Sequence, residues 1–340
     1  MVSKQAATGA AAKDASRVRG HDVLRVGVVG AGVMGTNHGR VLAGLPGIEM
    51  IGIADPLAEH RSRAEKLIGC RAFADLGALL DAGVDAVTIA APTHLHHEVA
   101  LACIARGIHV LVEKPVASTV SEGRDIVAAA KKAGVTLMIG HVERFNPAVA
   151  AIKKAIAGED ILSIGITRVG PFPPRMSNVG VVIDLAVHDI DLIRWFTESD
   201  IVDVQPQLAS AVAEREDIAL LQFRTASGVL AHINTNWLTP FKARTVTVAT
   251  RGKYVMGDLL TRQVTECFGF QTDGSYSMRH LPVGQDEPLR AELSAFLDAV
   301  RTGNAPAVTG EEGVASLEIA IHCLEAPKTQ AATALRKAAG

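Results

Sequence analysis

Residues 24 to 40 read LRVGVVGAGVMGTNHGR. Leu24 to Val29 is a short apolar run, the pattern of a strand buried on both faces in a parallel sheet. It leads straight into Gly30, Gly32 and Gly35, spaced G-x-G-x-x-G, before a helical pattern begins. Each glycine has its own reason. Gly30 permits the tight turn, Gly32 lets a pyrophosphate approach the backbone, and Gly35 lets helix and strand pack closely. Phosphates then sit on the helix N-terminus, where unpaired N–H groups and the dipole favour negative charge. Val33 and Met34 belong to the same loop. A glycine triplet alone is a weak signal, but a second one follows. Residues 48 to 55, IEMIGIAD, form a second strand that ends in Asp55, 20 positions after Gly35. That is the distance for a carboxylate holding ribose hydroxyls. The acid would repel a 2′-phosphate, so NAD is expected in preference to NADP. Arg61 and Arg63, on the next helix, temper this preference without reversing it.

Strand and helix patterns continue to alternate through Ala86–Ala90, His109–Val112 and Thr136–Ile139, which predicts a doubly wound parallel sheet. Ligands bind at the carboxyl ends of such strands. Three polar clusters fall there: Pro92-Thr93-His94-Leu95-His96-His97, Glu113-Lys114-Pro115 and Gly140-His141-Val142-Glu143-Arg144. His94, His96 and His97 have no accompanying acid or thiol set with metal spacing. They read as capping and packing at a cofactor rim, and no metal is expected.

The bulk properties bound the remaining choices. A chain of 340 residues suggests about two domains. Hydrophobic residues make up 48% and charged residues 21%, which fits a soluble globular protein. The net charge of −2 makes the chain as a whole no footprint for nucleic acid. Cys70, Cys103, Cys267 and Cys323 are widely spaced, as expected of free thiols in a reducing cytoplasm. Residues 1–21 lack an apolar run of signal-peptide length and read as a disordered tail, and residues 326–340 as a second tail. No run is long enough for a membrane span.

The second half is rich in strand patterns, separated by loop-like GPFPPR (170–175) and NWLTPFKAR (236–244). Ahead of most of these strands lies GVVIDLAVHDIDLIRWF (180–196). On a helix Asp184, His188 and Asp191 would share one face. Such a stripe either faces water or carries acid–base chemistry.

GAGVMGTNH, PTHLHH, VEKP and DLAVHDIDLIRW occur in this order. With them the chain resembles the Gfo/Idh/MocA family of nicotinamide-dependent sugar and inositol oxidoreductases, over nearly everything from residue 22 to 325. The resemblance implies an N-terminal Rossmann domain, residues 22–142. It also implies a C-terminal α/β domain, residues 143–325, with a large, open, mostly antiparallel sheet that commonly forms the subunit interface. The family's catalytic lysine matches Lys114, and its aspartate and histidine four apart match Asp184 and His188. Pro92, Thr93, His96, Glu113 and Lys114 fall at the cofactor. Oxidation of a secondary alcohol needs a proton acceptor, and an imidazole, titrating near neutrality, suits it. Lys114 can donate to the reacting oxygen or relay the proton, and the choice of base between Lys114 and His188 stays open. Asp184 would orient the hydroxyl or the imidazole, and Asp191 reads as structural.

GHVERFNPAV (140–149) and VGPFPPR (169–175) resemble the branch of UDP-N-acetylglucosamine 3-dehydrogenases. That branch makes a 3-keto sugar, which an aminotransferase converts to a 3-amino sugar for lipid A or surface polysaccharide. Arg144, Asn146, Arg168, Arg175, Lys242 and Arg244 are then candidate substrate residues. Cations suit a diphosphate, and Trp237 or Phe172 would stack on a ring. The competing readings are an inositol or free-sugar dehydrogenase, a non-catalytic NAD-binding regulator, and a redox-neutral enzyme that uses NAD transiently. A cytoplasmic homodimer or homotetramer is expected, because an open sheet leaves one apolar face uncovered.

Overall fold

A computed structural model describes residues 23–173 and 179–325. Within them the chain forms two compact units. One comprises the residues up to Gly140 together with Leu289–Gly313, the other His141–Pro288 with the residues from Val314 onward.

The first unit is built on strands β1 (Leu24–Val29), β2 (Ile48–Ala54), β3 (Ala72–Phe73), β4 (Ala86–Ile89), β5 (His109–Glu113) and β6 (Leu137–Gly140). They pair in parallel in the order β3-β2-β1-β4-β5-β6. Val26, Val28, Val87, Ile89, Val110 and Val112 are sealed from solvent, which is why these strands read as unbroken apolar runs rather than alternating ones. Helices α1 (Val33–Ala43), α2 (Ala58–Ile68), α3 (Leu76–Asp81), α4 (His96–Ile104) and α5 (Val120–Ala133) fill the connections. The strand order reverses between β1 and β4, the switch point where a crevice opens at the strand ends. Helix α5 starts at a capping box: the Thr119 hydroxyl accepts from the Glu122 N–H, and the Glu122 carboxylate accepts from the Thr119 N–H.

The expected second domain, 143–325, is not continuous. Helix α8 (Pro288–Thr302) carries Leu289, Leu293, Phe296, Leu297 and Val300 on one buried stripe. Beyond it Thr309 bridges to Met138 of β6. At Gly310 and Gly313 an added Cβ would come within 2.6 Å of Leu137 and Ile139 respectively, so this segment packs tightly on the first sheet.

The second unit contains α6 (Pro147–Ala155), a π-helical turn (Val182–Ala186) that runs into α7 (Val187–Thr197), and an eight-stranded sheet. Its strands are β7 (Ile161–Pro171), β8 (Ile201–Ala209), β9 (Ile218–Thr225), β10 (Leu230–Asn236), β11 (Leu238–Thr250), β12 (Lys253–Asp258), β13 (Gln263–Phe268) and β14 (Ser277–Leu281). The order is β14-β13-β12-β11-β7-β10-β9-β8, and only β7 and β10 pair in parallel. One face is core: Ile164, Ile166, Leu221, Phe223, Ile233, Val246 and Val248 pack with Ile152, Ile190 and Ile193 of the helices, and with Ala320 and Cys323 of α9 (Gly310–Glu325). The alternate positions of β9, β10 and β12 point the other way and leave Leu220, Leu230, Tyr254 and Met256 exposed. The stretch 236–244, expected as a loop, enters strand β11 instead. Its ladder to β7 breaks between Leu238 and Ala243, around Pro240, which has no N–H to give. No helix among the described residues is long and apolar enough to cross a membrane.

Ile164 lies in the middle of the sheet and is fully buried. Ile164→Ala is expected to cost about 2–5 kcal/mol, read as a lower urea midpoint of the second unit's transition.

Candidate functional site

In the first unit the glycine loop does what its spacing predicts. Gly30 has φ +95°, and an added Cβ would lie 2.6 Å from the Ala90 carbonyl oxygen. A Cβ on Gly35 would run into the Gly30 carbonyl. Above Gly32 there is open space, with nothing within 4 Å of a built Cβ. Gly32 is also the N-cap of α1, and no side chain caps that helix. Val33 and Met34 of its first turn are exposed. The helix start therefore presents N–H groups without a side-chain cap beneath open space, the setting in which helix N-termini accept anions.

Asp55 follows β2 directly. Its Oδ2 accepts from the Ala31 N–H at 2.7 Å and its Oδ1 from the Leu57 N–H at 2.8 Å, with His60 Nδ1 3.2 Å from Oδ2. The carboxylate thus ties the second strand to the glycine loop, and each of its oxygens has lone-pair capacity left over. Arg61 donates to the Asp55 and Pro56 carbonyls, and Arg63 reaches across to the Ala31 carbonyl. Both arginines stand at the rim of this loop, closer to it than their helix position suggests.

Pro92 and Thr93 lie at a 3₁₀ turn after β4. His96, expected at the cofactor, has a different task. It is 1% exposed, with Nδ1 2.9 Å from the Pro115 carbonyl and Nε2 2.9 Å from the Ala91 carbonyl. Burial pushes its pKa below the ordinary imidazole range, against the pull of the two carbonyls. It fastens the loop after β4 to the loop after β5 and is not open to a ligand. Glu113 ends β5, and its neighbour Lys114 is half-buried.

In the second unit the polar stripe divides. Asp184, on the π-helical turn, and His188, on the first turn of α7, are half-buried. Asp191 is sealed. Its two oxygens accept from Nε and Nη2 of Arg144, each at 2.7 Å, and Oδ1 also receives the Ser316 hydroxyl at 3.3 Å.

Several candidate substrate residues prove to be part of this framework. Arg144 is 6% exposed and committed to Asp191, with its guanidinium 5.8 Å from the Trp195 ring centre. Arg168 is 3% exposed and donates to Asp189 and to Glu143. Burial works against its charge, but the two carboxylates outweigh it and raise its pKa. Asn146 is buried as the N-cap of α6: it accepts from the Ala148 N–H and donates to the Leu259 carbonyl. Trp237 is core, edge-on to Phe172 at 5.8 Å, and no stacking platform. These four were misplaced because a guanidinium, an amide and an indole look alike in sequence whether they meet solvent or a distant partner.

Lys242 is exposed, and Arg244 is partly exposed. Arg244 Nη1 donates to Glu143 Oε1 at 2.9 Å, an oxygen shared with Arg168, and Arg244 also feels the charge of Asp184. Arg175 lies outside the described residues. Sequence reasoning gave no role to Asp189, nor to two members of the Gly140–Arg144 cluster: Glu143, which with Asp189 satisfies these arginines, and His141, whose ring stands edge-on to His188 at 6.1 Å. An arginine in an otherwise apolar strand such as β7 was the available signal for a buried acid.

The glycines separate fold from ligand. Gly35→Ala is expected to lower the melting temperature and abolish NAD binding together. Gly32→Ala is expected to change stability by no more than about 0.5 kcal/mol while weakening NAD, followed by calorimetric titration.

Similarity to known proteins agrees with this geometry. Residues 24–141 match the model of the Gfo/Idh/MocA oxidoreductase family, NAD-binding Rossmann fold, and residues 169–255 that of the Gfo/Idh/MocA C-terminal domain. The chain is 30% identical over 285 residues to the UDP-N-acetylglucosamine 3-dehydrogenase of Acidithiobacillus ferrooxidans, covering 82% of this chain and 88% of that one. It is 31% identical over 309 residues to inositol 2-dehydrogenase 4 of Saccharopolyspora erythraea, covering 86% and 90%. A solved structure of the Acidithiobacillus enzyme superposes with a TM-score of 0.83 at 28% identity, over 88% of this chain and 96% of that one. The chain belongs to the Gfo/Idh/MocA family of NAD-binding oxidoreductases.

Proposed function

We propose that the chain oxidises a secondary hydroxyl of a sugar with NAD, and that its substrate is UDP-N-acetylglucosamine, converted to the 3-keto sugar. The observation that carries the substrate is the similarity to the Acidithiobacillus enzyme, in sequence over most of both chains and in fold. The cations at Lys242 and Arg244 support it, because a diphosphate needs positive partners that still reach solvent. The second reading, an inositol dehydrogenase, is favoured by the Saccharopolyspora relative at comparable identity.

Bound NAD supplies the hydride acceptor. His188 takes the proton of the substrate hydroxyl or passes it on, and Lys114 donates to the reacting oxygen so that it stays oriented as it loses the proton. Asp184, one α-helical turn before His188 in sequence, orients the hydroxyl or the imidazole. Arg244 draws the diphosphate while Glu143 holds its other side. The 3-keto product is the natural substrate of an aminotransferase acting on nucleotide sugars.

The test is NADH formation with a panel of UDP-sugars, inositols and free hexoses, with a glutamate-dependent aminotransferase added to draw off the keto product. Turnover of UDP-N-acetylglucosamine is expected. It should fall at least about 100-fold in Lys114→Ala and His188→Ala, with NAD binding retained in His188→Ala. Arg244→Ala should raise KM for the UDP-sugar more than it lowers kcat. Turnover of inositols alone would replace the substrate with that of the second reading.

The reading includes a homo-oligomer that covers the exposed face of the eight-stranded sheet, where Leu220, Leu230, Tyr254 and Met256 stand in water. Light scattering is expected to give a dimer or tetramer, and Leu220→Glu with Leu230→Glu a smaller species. A wild-type monomer would end this part of the proposal.

A further inference from the structure

Three ionisable side chains meet inside the first unit: His38 on α1, Glu113 at the end of β5 and Glu292 on α8. They are 0%, 7% and 0% exposed, and one ligand-type atom from each lies within 4.8 Å of the others. His38 Nε2 is 2.9 Å from Glu113 Oε1, and Glu113 Oε2 accepts from the Lys114 N–H at 3.2 Å. Both carboxyl oxygens of Glu292, and His38 Nδ1, have no hydrogen-bond partner among the described residues.

Two carboxylates this close, sealed from water, do not both carry charge without a cation between them. Glu113 has the His38 hydrogen bond and the neighbouring Lys114 in its favour, and Glu292 has neither. We propose that Glu292 is a neutral, proton-holding support for the Glu113–His38 pair, and through it a positioning residue for the strand end that bears Lys114; the last part rests on the catalytic reading of Lys114. The groups that face it are His38 from α1 and Glu113 from the end of β5.

The two acids are driven apart. Burial, and then the Glu113 charge, push Glu292 well above the usual carboxylate range. Burial also opposes ionisation of Glu113, but the hydrogen bond and charge of His38, with Lys114, outweigh it and leave Glu113 below that range. Two acids with separated pKa values act as one charge and one proton. Glu113 then has the His38 ring nitrogen on one oxygen and a backbone donor on the other.

The experiment uses the whole protein and Glu292→Gln, an isostere of the protonated acid. An unfolded glutamate titrates near 4.3. A raised value in the folded protein means that the stability due to the proton is full below that pH and is lost as pH rises through the folded value. The melting temperature of Glu292→Gln should therefore gain on wild type as pH rises above the unfolded glutamate value. Infrared spectra at neutral pH should show a carboxylic-acid carbonyl band that Glu292→Gln lacks. A melting difference that does not change with pH, together with no such band, would overturn the proposal. So would a stoichiometric divalent ion whose removal by EDTA lowers the melting temperature, since His38, Glu113 and Glu292 would then be its ligands.

Positioning has its own readout. Glu292→Ala should lower kcat about tenfold with the NAD KM unchanged, and Glu292→Gln should restore most of it. Equal loss in both variants would make Glu292 something other than a neutral support. Full activity in Lys114→Ala would remove the catalytic reading of Lys114 and leave the infrared and melting tests of the proton standing.

Discussion

A guanidinium withdrawn from water must find a carboxylate, and this requirement organises the second unit around helix α7. Arg144 is met by Asp191 and Arg168 by Asp189, two acids one residue apart in α7 on either side of Ile190. Glu143 closes the group by accepting from both Arg168 and Arg244. Removing one partner of such a pair leaves a buried charge uncompensated, at about 3–5 kcal/mol. The helix is therefore held in rotation and in height by ionic contacts, while Ile190, Leu192 and Ile193 seal it with apolar ones. Asp184 and His188 owe their placement to this fixing of the helix behind them.

The same logic runs differently in the first unit, where the constraint lies in the backbone. The Gly30 and Ala90 carbonyls leave no room for side chains at Gly35 and Gly30, and Asp55 receives a backbone N–H from the loop those glycines form. The backbone is closely packed at Gly30 and Gly35 and open above Gly32.

This difference explains what was legible in the sequence. The glycine loop, Asp55 and the parallel strands are local signals, each readable within a few residues, and the strand limits at Leu24 and Val29 match those in the structure. The four misassigned residues depend on partners far along the chain. Arg144 meets Asp191 47 positions away, and Asn146 meets Leu259 113 positions away. An arginine's neighbours decide whether it is a ligand or a strut, and spacing carries no record of them. His96 failed for the same reason, because its two carbonyl partners come from different loops. The helical stripe was half right: it predicts one face for Asp184, His188 and Asp191. The π-helical turn and the Arg144 pair split that face into an accessible part and a sealed part.

The return of Leu289–Gly313 to the first unit bears on the order of biosynthesis. The dinucleotide-binding sheet is translated first, but its wall is incomplete until α8 and the Thr309 bridge to Met138 have emerged. Until then Leu137, Met138 and Ile139 of β6 lack the segment that covers them. The first unit's own residues are thus split by the whole of the eight-stranded sheet in chain order, so its sheet is completed only by a segment made after that sheet. Between the making of β6 and of its cover lie about 150 residues, a long interval for an apolar strand edge to wait for its partner.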